Sequence, residues 1–322
     1  MKGRISVLFF TAFFIGGVCH ADTSPLDVAL QNTYLACVEI DDNLSDIKKL
    51  AGINTAVTGV GTGLGVGATV TGFVKAETDR DIEKLEKKLA EIRARERKGE
   101  YPTPTVAQLD SFVNSSGSSD KTAETKSSDQ LSAKDIEKEI EEKTEKSKKL
   151  GNWRTGLLAG NTATNIAGAI ISSRTINKDD IQGQIDACIL ATKELNNAIL
   201  AAKMNGEDVS EAKRIYNKCR EYEFVDVSPI IKRGKGAMIA SSIGAGLGGV
   251  GTITSAVANS QTIRDDNSES GKKKEKNLNT TSNVLSVGAT AASATATVFN
   301  ATQIAAVKKV AKVSVECTEV LR

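Results

Sequence analysis

The chain carries one pattern twice: a cysteine, an uncharged Gly/Ala/Thr-rich stretch, a charged segment, a second uncharged stretch and another cysteine. Sliding the sequence by 184 positions places Gly52 on Gly236, Ala56 on Ala240, Gly65-Val66-Gly67 on Gly249-Val250-Gly251, and Arg80-Asp81 on Arg264-Asp265. An offset of 128 places Leu157 on Leu285, Gly160 on Gly288, Thr162 on Thr290, Ala163 on Ala291 and Ile176 on Ile304. The two offsets differ by 56 residues, the extra length of the first charged segment.

Low-complexity segments align easily with themselves, so chance similarity is the competing reading. The cysteines argue against chance. In two antiparallel helices of equal rise, the arm lengths place Cys37 level with Cys188 and Cys219 level with Cys317. The expected fold is all-α: two tandem antiparallel helical hairpins, at 22–200 and 201–322, with arms at 51–74, 155–173, 236–260 and 278–307. Four cysteines allow three connectivities. The main rival joins Cys188 to Cys219 across a turn at Asn205-Gly206.

Residues 1–21 read as a secretory signal peptide, with Lys2 and Arg4 before an apolar run from Ile5 to Val18 and a small residue at Ala21. Lipid attachment at Cys19 would need a small residue before it, and Val18 is bulky. Export to a disulfide-permissive compartment is therefore expected. Cleavage would remove His20, the chain's single histidine. Without imidazole, Ser/His/Asp and Cys/His nucleophile activation and His-containing metal sites are excluded.

No C-x-x-C pair is present, so neither a metal nor a cofactor is expected. A formal net charge of +2 and few aromatics give no case for nucleic acid. Two matches to G-x-G-x-x-G/A, at Gly244–Gly249 and Gly63–Ala68, lie inside longer glycine-rich arms rather than after a buried strand. Helix packing accounts for them better than a dinucleotide does. No catalytic constellation emerges, and the chain reads as a non-enzyme.

Ser24-Pro25-Leu26-Asp27 has the form of a helix start. Ile82, Leu85, Leu89 and Ile92 form an amphipathic or coiled-coil stripe, able to pair with a weaker helix through Ile136 and Ile140. Between them, 99–130 reads as a disordered loop. Ile181, Ile185, Cys188, Leu195 and Ile199 form a further stripe, which Val209, Ala212, Ile215, Tyr216 and Cys219 answer after a turn. The best strand signal is Phe224–Val227.

Gly59, Gly63 and Gly67 form a glycine zipper at four-residue spacing, with Gly61 and Gly65 on an adjoining line; the third arm carries Gly244 and Gly248. Each glycine costs about 1 kcal/mol relative to alanine in a soluble helix, so close helix contact must offset it. The arms are long enough to cross a bilayer core of about 30 Å, with Phe73 and Trp153 at one interface. Asn161, Asn165, Asn283, Asn300 and Gln303 weaken insertion.

The leading expectation is an exported, non-enzymatic envelope protein whose arms pack in or against a membrane. It would have a structural or interaction role with a membrane or envelope partner, and self-association through the glycines. The alternatives are a soluble periplasmic or secreted binding scaffold and a pore-forming factor.

Overall fold

The computed structural model describes residues 24–98, 132–177, 181–264 and 268–322. The expected signal peptide at 1–21 and the segment 99–130, expected as a disordered loop, lie outside the described residues. The described chain is all-α, with α1 (Pro25–Arg97), α2 (Ala133–Asn177), α3 (Ile181–Met204), α4 (Ser210–Cys219), α5 (Ser228–Ala258), α6 (Gln261–Arg264) and α7 (Glu269–Leu321). A 3-10 turn, Arg220–Phe224, follows α4. The Phe224–Val227 strand signal leaves an extended connection instead, beginning at Val225 with φ −92° and ψ 123°. Pro229 then sits in the first turn of α5.

Local chemistry sets the helix ends. Asp27 N donates to Ser24 Oγ (3.2 Å) while Ser24 N donates to Asp27 Oδ2 (3.3 Å), a reciprocal cap. Ser132 and Asp135 repeat it at the start of α2. The α3–α4 turn uses Gly206 at φ +78°, a left-handed conformation that other residues resist.

The chain forms two compact units. The clamp unit takes described residues 24–45, 181–227 and 308–322; the bundle unit takes 46–177 and 228–307.

In the clamp unit, Cys37 is joined to Cys188 and Cys219 to Cys317. Ile40, Leu44, Ile185, Leu195, Ile199, Ala212, Ile215, Tyr222 and Val310 are buried in this unit. The stripe of α3 is thus a core seam. Thr33 Oγ1 donates to the Ala191 carbonyl (3.3 Å), and Lys218 pairs with Glu316 at 3.1 Å.

In the bundle unit, α1, α2, α5 and α7 form a four-helix bundle in which each helix runs antiparallel to two neighbours. Contacts step along α1 and back along α2: Asn54 with Ser172, Gly67 with Leu157, Asp81 with Lys143, Arg93 with Glu137. Arg233 with Thr302, Gly236 with Phe299 and Gly251 with Leu285 do the same for α5 and α7. Thr58 with Thr297 and Thr69 with Ser286 join α1 to α7. Thr155 with Ser255 and Thr162 with Thr252 join α2 to α5.

Beyond the uncharged arms, Ile82, Leu85, Leu89 and Ile92 are half-buried and Ile136 is buried. Ion pairs reinforce this end, and the hydrogen bond from Lys143 holds the Asp81 carboxyl below its ordinary range.

Candidate functional site

Four seams face the bundle axis, and they contain almost no large apolar side chains. Along α1 the buried positions from Ala51 are Asn54, Thr58, Gly61, Gly65, Ala68, Gly72 and Lys75. Their steps alternate between three and four, a 3.5-residue repeat that keeps one line facing its neighbours. On α2 the line is Gly151, Arg154, Leu158, Asn161, Asn165, Gly168 and Ser172. On α7 it is Asn279, Ser282, Ser286, Ala289, Ser293, Ala296, Asn300 and Gln303. On α5, Gly234, Ala237, Ser241, Gly244, Gly248, Gly251 and Ser255 complete it.

The large apolar side chains stand on the outside. Ile53, Val60, Val66, Val70 and Phe73 of α1 are exposed, as are Ile166 and Ile170 of α2. So are Ile239, Ile243, Val250 and Ile253 of α5, and Val284, Val287 and Val298 of α7. Three helices, α1, α5 and α7, are long and apolar enough to cross a membrane, and only 28–33% of each one's apolar window is buried. Phe73 and Trp153, expected at one level, are 59% and 70% exposed. Their neighbours Gly72 and Arg154 touch across α1 and α2, which puts the two rings at the same height.

Hydrogen bonds between helices hold the polar axis. Asn54 Nδ2 donates to Ser172 Oγ (2.6 Å) and Asn300 Oδ1 (3.1 Å). Asn165 Nδ2 donates to Ser293 Oγ at 2.8 Å, and Ser293 Oγ lies 3.1 Å from Asn161 Oδ1. Hydroxyls elsewhere donate to their own helix four residues back, including the outward Thr254 and Thr295. That bond hides a hydroxyl from an apolar environment.

Arg154 is the one fully buried arginine among the described residues. Its Nη2 donates to Ser282 Oγ (2.8 Å), and among the described residues its Nε has no partner and no carboxylate pairs with it. Lys75, by contrast, is buried with Asp79 at 2.7 Å and Glu275 at 3.5 Å.

The glycines divide in a way their four-residue spacing does not convey. A Cβ built at Gly59 or Gly63 would meet nothing within 4 Å, and one at Gly67 would make ordinary contact with Leu157 at 3.4 Å. The close approaches are on the adjoining line: a Cβ at Gly61 would lie 2.5 Å from Thr164 Oγ1, and at Gly65 and Gly72 it would collide with Thr290 and Asn283. On α5, a Cβ built at Gly244 would lie 2.7 Å from Asn165 Oδ1 and one at Gly248 2.7 Å from Thr162 Oγ1. The inward seam itself could have been found in the sequence by searching for alternating three- and four-residue steps through Asn, Ser, Thr and Gly.

No protein-family model matches the chain, and no curated protein or solved structure does either.

Proposed function

We propose that the bundle unit lies within a membrane and that the chain is an exported, non-enzymatic envelope protein with a structural or interaction role. The observation that carries this reading is the inversion of the bundle: valine, isoleucine and phenylalanine outward, Asn, Ser, Thr and Gly inward. In water such an arrangement exposes the side chains whose burial stabilises a fold. In lipid it places them in a matching solvent, while close packing and interhelical hydrogen bonds hold the helices together. The disulfides then belong to an oxidising compartment, and a membrane or envelope protein is the expected partner. The open Gly59–Gly63 face offers a surface for a second copy of the chain.

The internal duplication gains support from the registers of the bundle. Leu157 seats against Gly67, and Leu285, which is 128 positions on, seats against Gly251, 184 on from Gly67. Arg154 bonds Ser282 and Asn165 bonds Ser293, each across a separation of 128. Contacts between positions that the 128-residue offset makes equivalent are what a two-fold related pair of hairpins would produce.

Carbonate extraction of the expressed full chain tests the membrane reading. Retention in the pellet supports it; complete release would leave the soluble scaffold. A pore-forming role is the second reading, favoured by unpartnered polar atoms along the axis at Asn54 Oδ1, Asn161 Nδ2, Ser241 Oγ and Asn300 Nδ2, which suit entering water. Dye release from liposomes distinguishes it, and intact liposomes across pH and lipid composition would remove it.

A further inference from the structure

We propose that one end of the bundle unit is a basic collar that docks on the headgroups of an anionic phospholipid leaflet, an inference that rests on the membrane reading above and names the lipid class it selects. Three helices carry the same couplet there. On α1 the exposed Ile53 stands four residues from the exposed Lys49, on α2 Ile170 stands four from Arg174, and on α5 Ile239 stands four from Lys235. A four-residue step puts both side chains on one helix face, about 6 Å apart along the axis. Asn54 bonds Ser172, and a Cβ at Gly234 would lie 3.3 Å from Ile176 Cγ1, so Lys49, Arg174 and Lys235 crown the same end of the bundle.

Lys48, Lys232 and Arg233 extend the row, and the 184-residue offset lays Lys48-Lys49 on Lys232-Arg233. Arg233 is tied down by its Nη1 hydrogen bond to the Thr302 carbonyl (2.6 Å), while Lys48 and Lys232 are exposed. Among the described residues at this end of the bundle unit the only acid is Asp46, 3.8 Å from Lys49. The opposite end is different. There acids and bases interleave and pair, as Asp81 does with Lys143 and Arg93 with Glu137.

The couplets match the edge of a leaflet. Each isoleucine faces acyl chains, and one turn further on a lysine stem follows the apolar surface and carries its ammonium to the phosphate level. Arg174 offers a planar guanidinium that can hold two phosphate oxygens at once. A zwitterionic leaflet has no net charge to answer an excess of bases. An anionic one attracts each basic residue at its surface about fivefold, an effect that salt screens.

The test uses the full chain in an uncharged detergent, to which dioleoylphosphatidylglycerol, dioleoylphosphatidylcholine or inorganic phosphate is added, with the thermal midpoint as readout. The midpoint is expected to rise saturably with phosphatidylglycerol, far less with phosphatidylcholine and not at all with phosphate, and the gain should shrink in high salt. Replacing Lys49, Arg174 and Lys235 together by glutamine is expected to weaken the apparent affinity for phosphatidylglycerol about tenfold or more. The same charge loss at the opposite end, through Arg95→Gln, Arg97→Gln and Lys98→Gln, should leave it unchanged. If the collar variant does not fold, the comparison of the three additives on the wild-type chain still decides. An equal rise with both lipids, a rise with phosphate alone, or equal weakening by the two triple variants would overturn the proposal. Release of the chain by carbonate would remove the membrane reading along with it, whereas retention without a lipid preference would remove the collar alone.

Discussion

The two units solve the same packing problem with opposite materials. The clamp unit buries Ile40, Leu44, Ile185, Leu195 and Tyr222 around two disulfides, as a water-soluble domain does. The bundle unit sends its valines and isoleucines outward and closes on Gly, Ser, Thr and Asn. Large apolar cores gain from being removed from water; small-residue seams gain from how closely backbones approach and from hydrogen bonds that have no competing water. One chain thus holds two cores of opposite composition, and mutations of matched size separate them.

The largest effect is expected in the clamp. Replacing Cys37 and Cys188 by serine opens a crosslink spanning 151 residues, and chain entropy alone puts its contribution at about 4–5 kcal/mol. Hydrogen exchange should show protection falling first in α3 and α4. Equal loss throughout α1, α2, α5 and α7 would erase the distinction between the units.

Next come two substitutions that exchange roles. Leu195→Ala should cost about 2–5 kcal/mol by leaving a cavity, whereas Val250→Ala, on the exposed face of the bundle, should cost under about 0.5 kcal/mol. Gly65→Leu should disrupt the bundle by about 3 kcal/mol or more, because its Cβ already meets Thr290. Gly63→Leu should leave the folded monomer unchanged, since its Cβ enters open space. Denaturant titration in detergent measures all four. If Gly63→Leu unfolds the monomer as Gly65→Leu does, the inward seam has been misassigned.

A pH dependence belongs to the clamp. Burial pushes the Tyr222 phenol up to about 12, with Ser314 opposing the shift. Below pH 10 the phenol is protonated in folded and unfolded chains alike, and its contribution is fully present. As pH rises from 10 to 12 the unfolded chain ionises first, so stability falls by about 2 kcal/mol. Thermal midpoints of wild type and Tyr222→Phe should diverge from wild type's own alkaline decline over that window, the phenylalanine chain losing less. Parallel curves would show that Tyr222 is not shielded.

Arg154→Met is expected to carry no cost. A buried cation without an acidic partner is costly to desolvate, so the change should be neutral or stabilising by about 1 kcal/mol. Strong destabilisation would mean that the Arg154–Ser282 hydrogen bond anchors the axis.

The amino-acid sequence by itself determined the helical class, the Ser24 cap, the core stripe of α3 and the extent of the uncharged arms. These follow from local chemistry: capping hydrogen bonds, 3.6-residue periodicity and the cost of stranding charge. It did not settle which glycines face inward. Gly59, Gly63 and Gly67 recur every four residues, and each such step turns about 40° past a full revolution, so the line drifts off any contact surface. Gly61, Gly65 and Gly72, with Ala68 between them, alternate four and three and stay on it.

Tertiary structure decided the rest. It brought Asn54, Ser172 and Asn300 from three helices into one hydrogen-bonded layer, and four distant cysteines into two disulfides. Such groups are chosen by the relative register of helices, and register is a property of packing that no single stretch of chain contains.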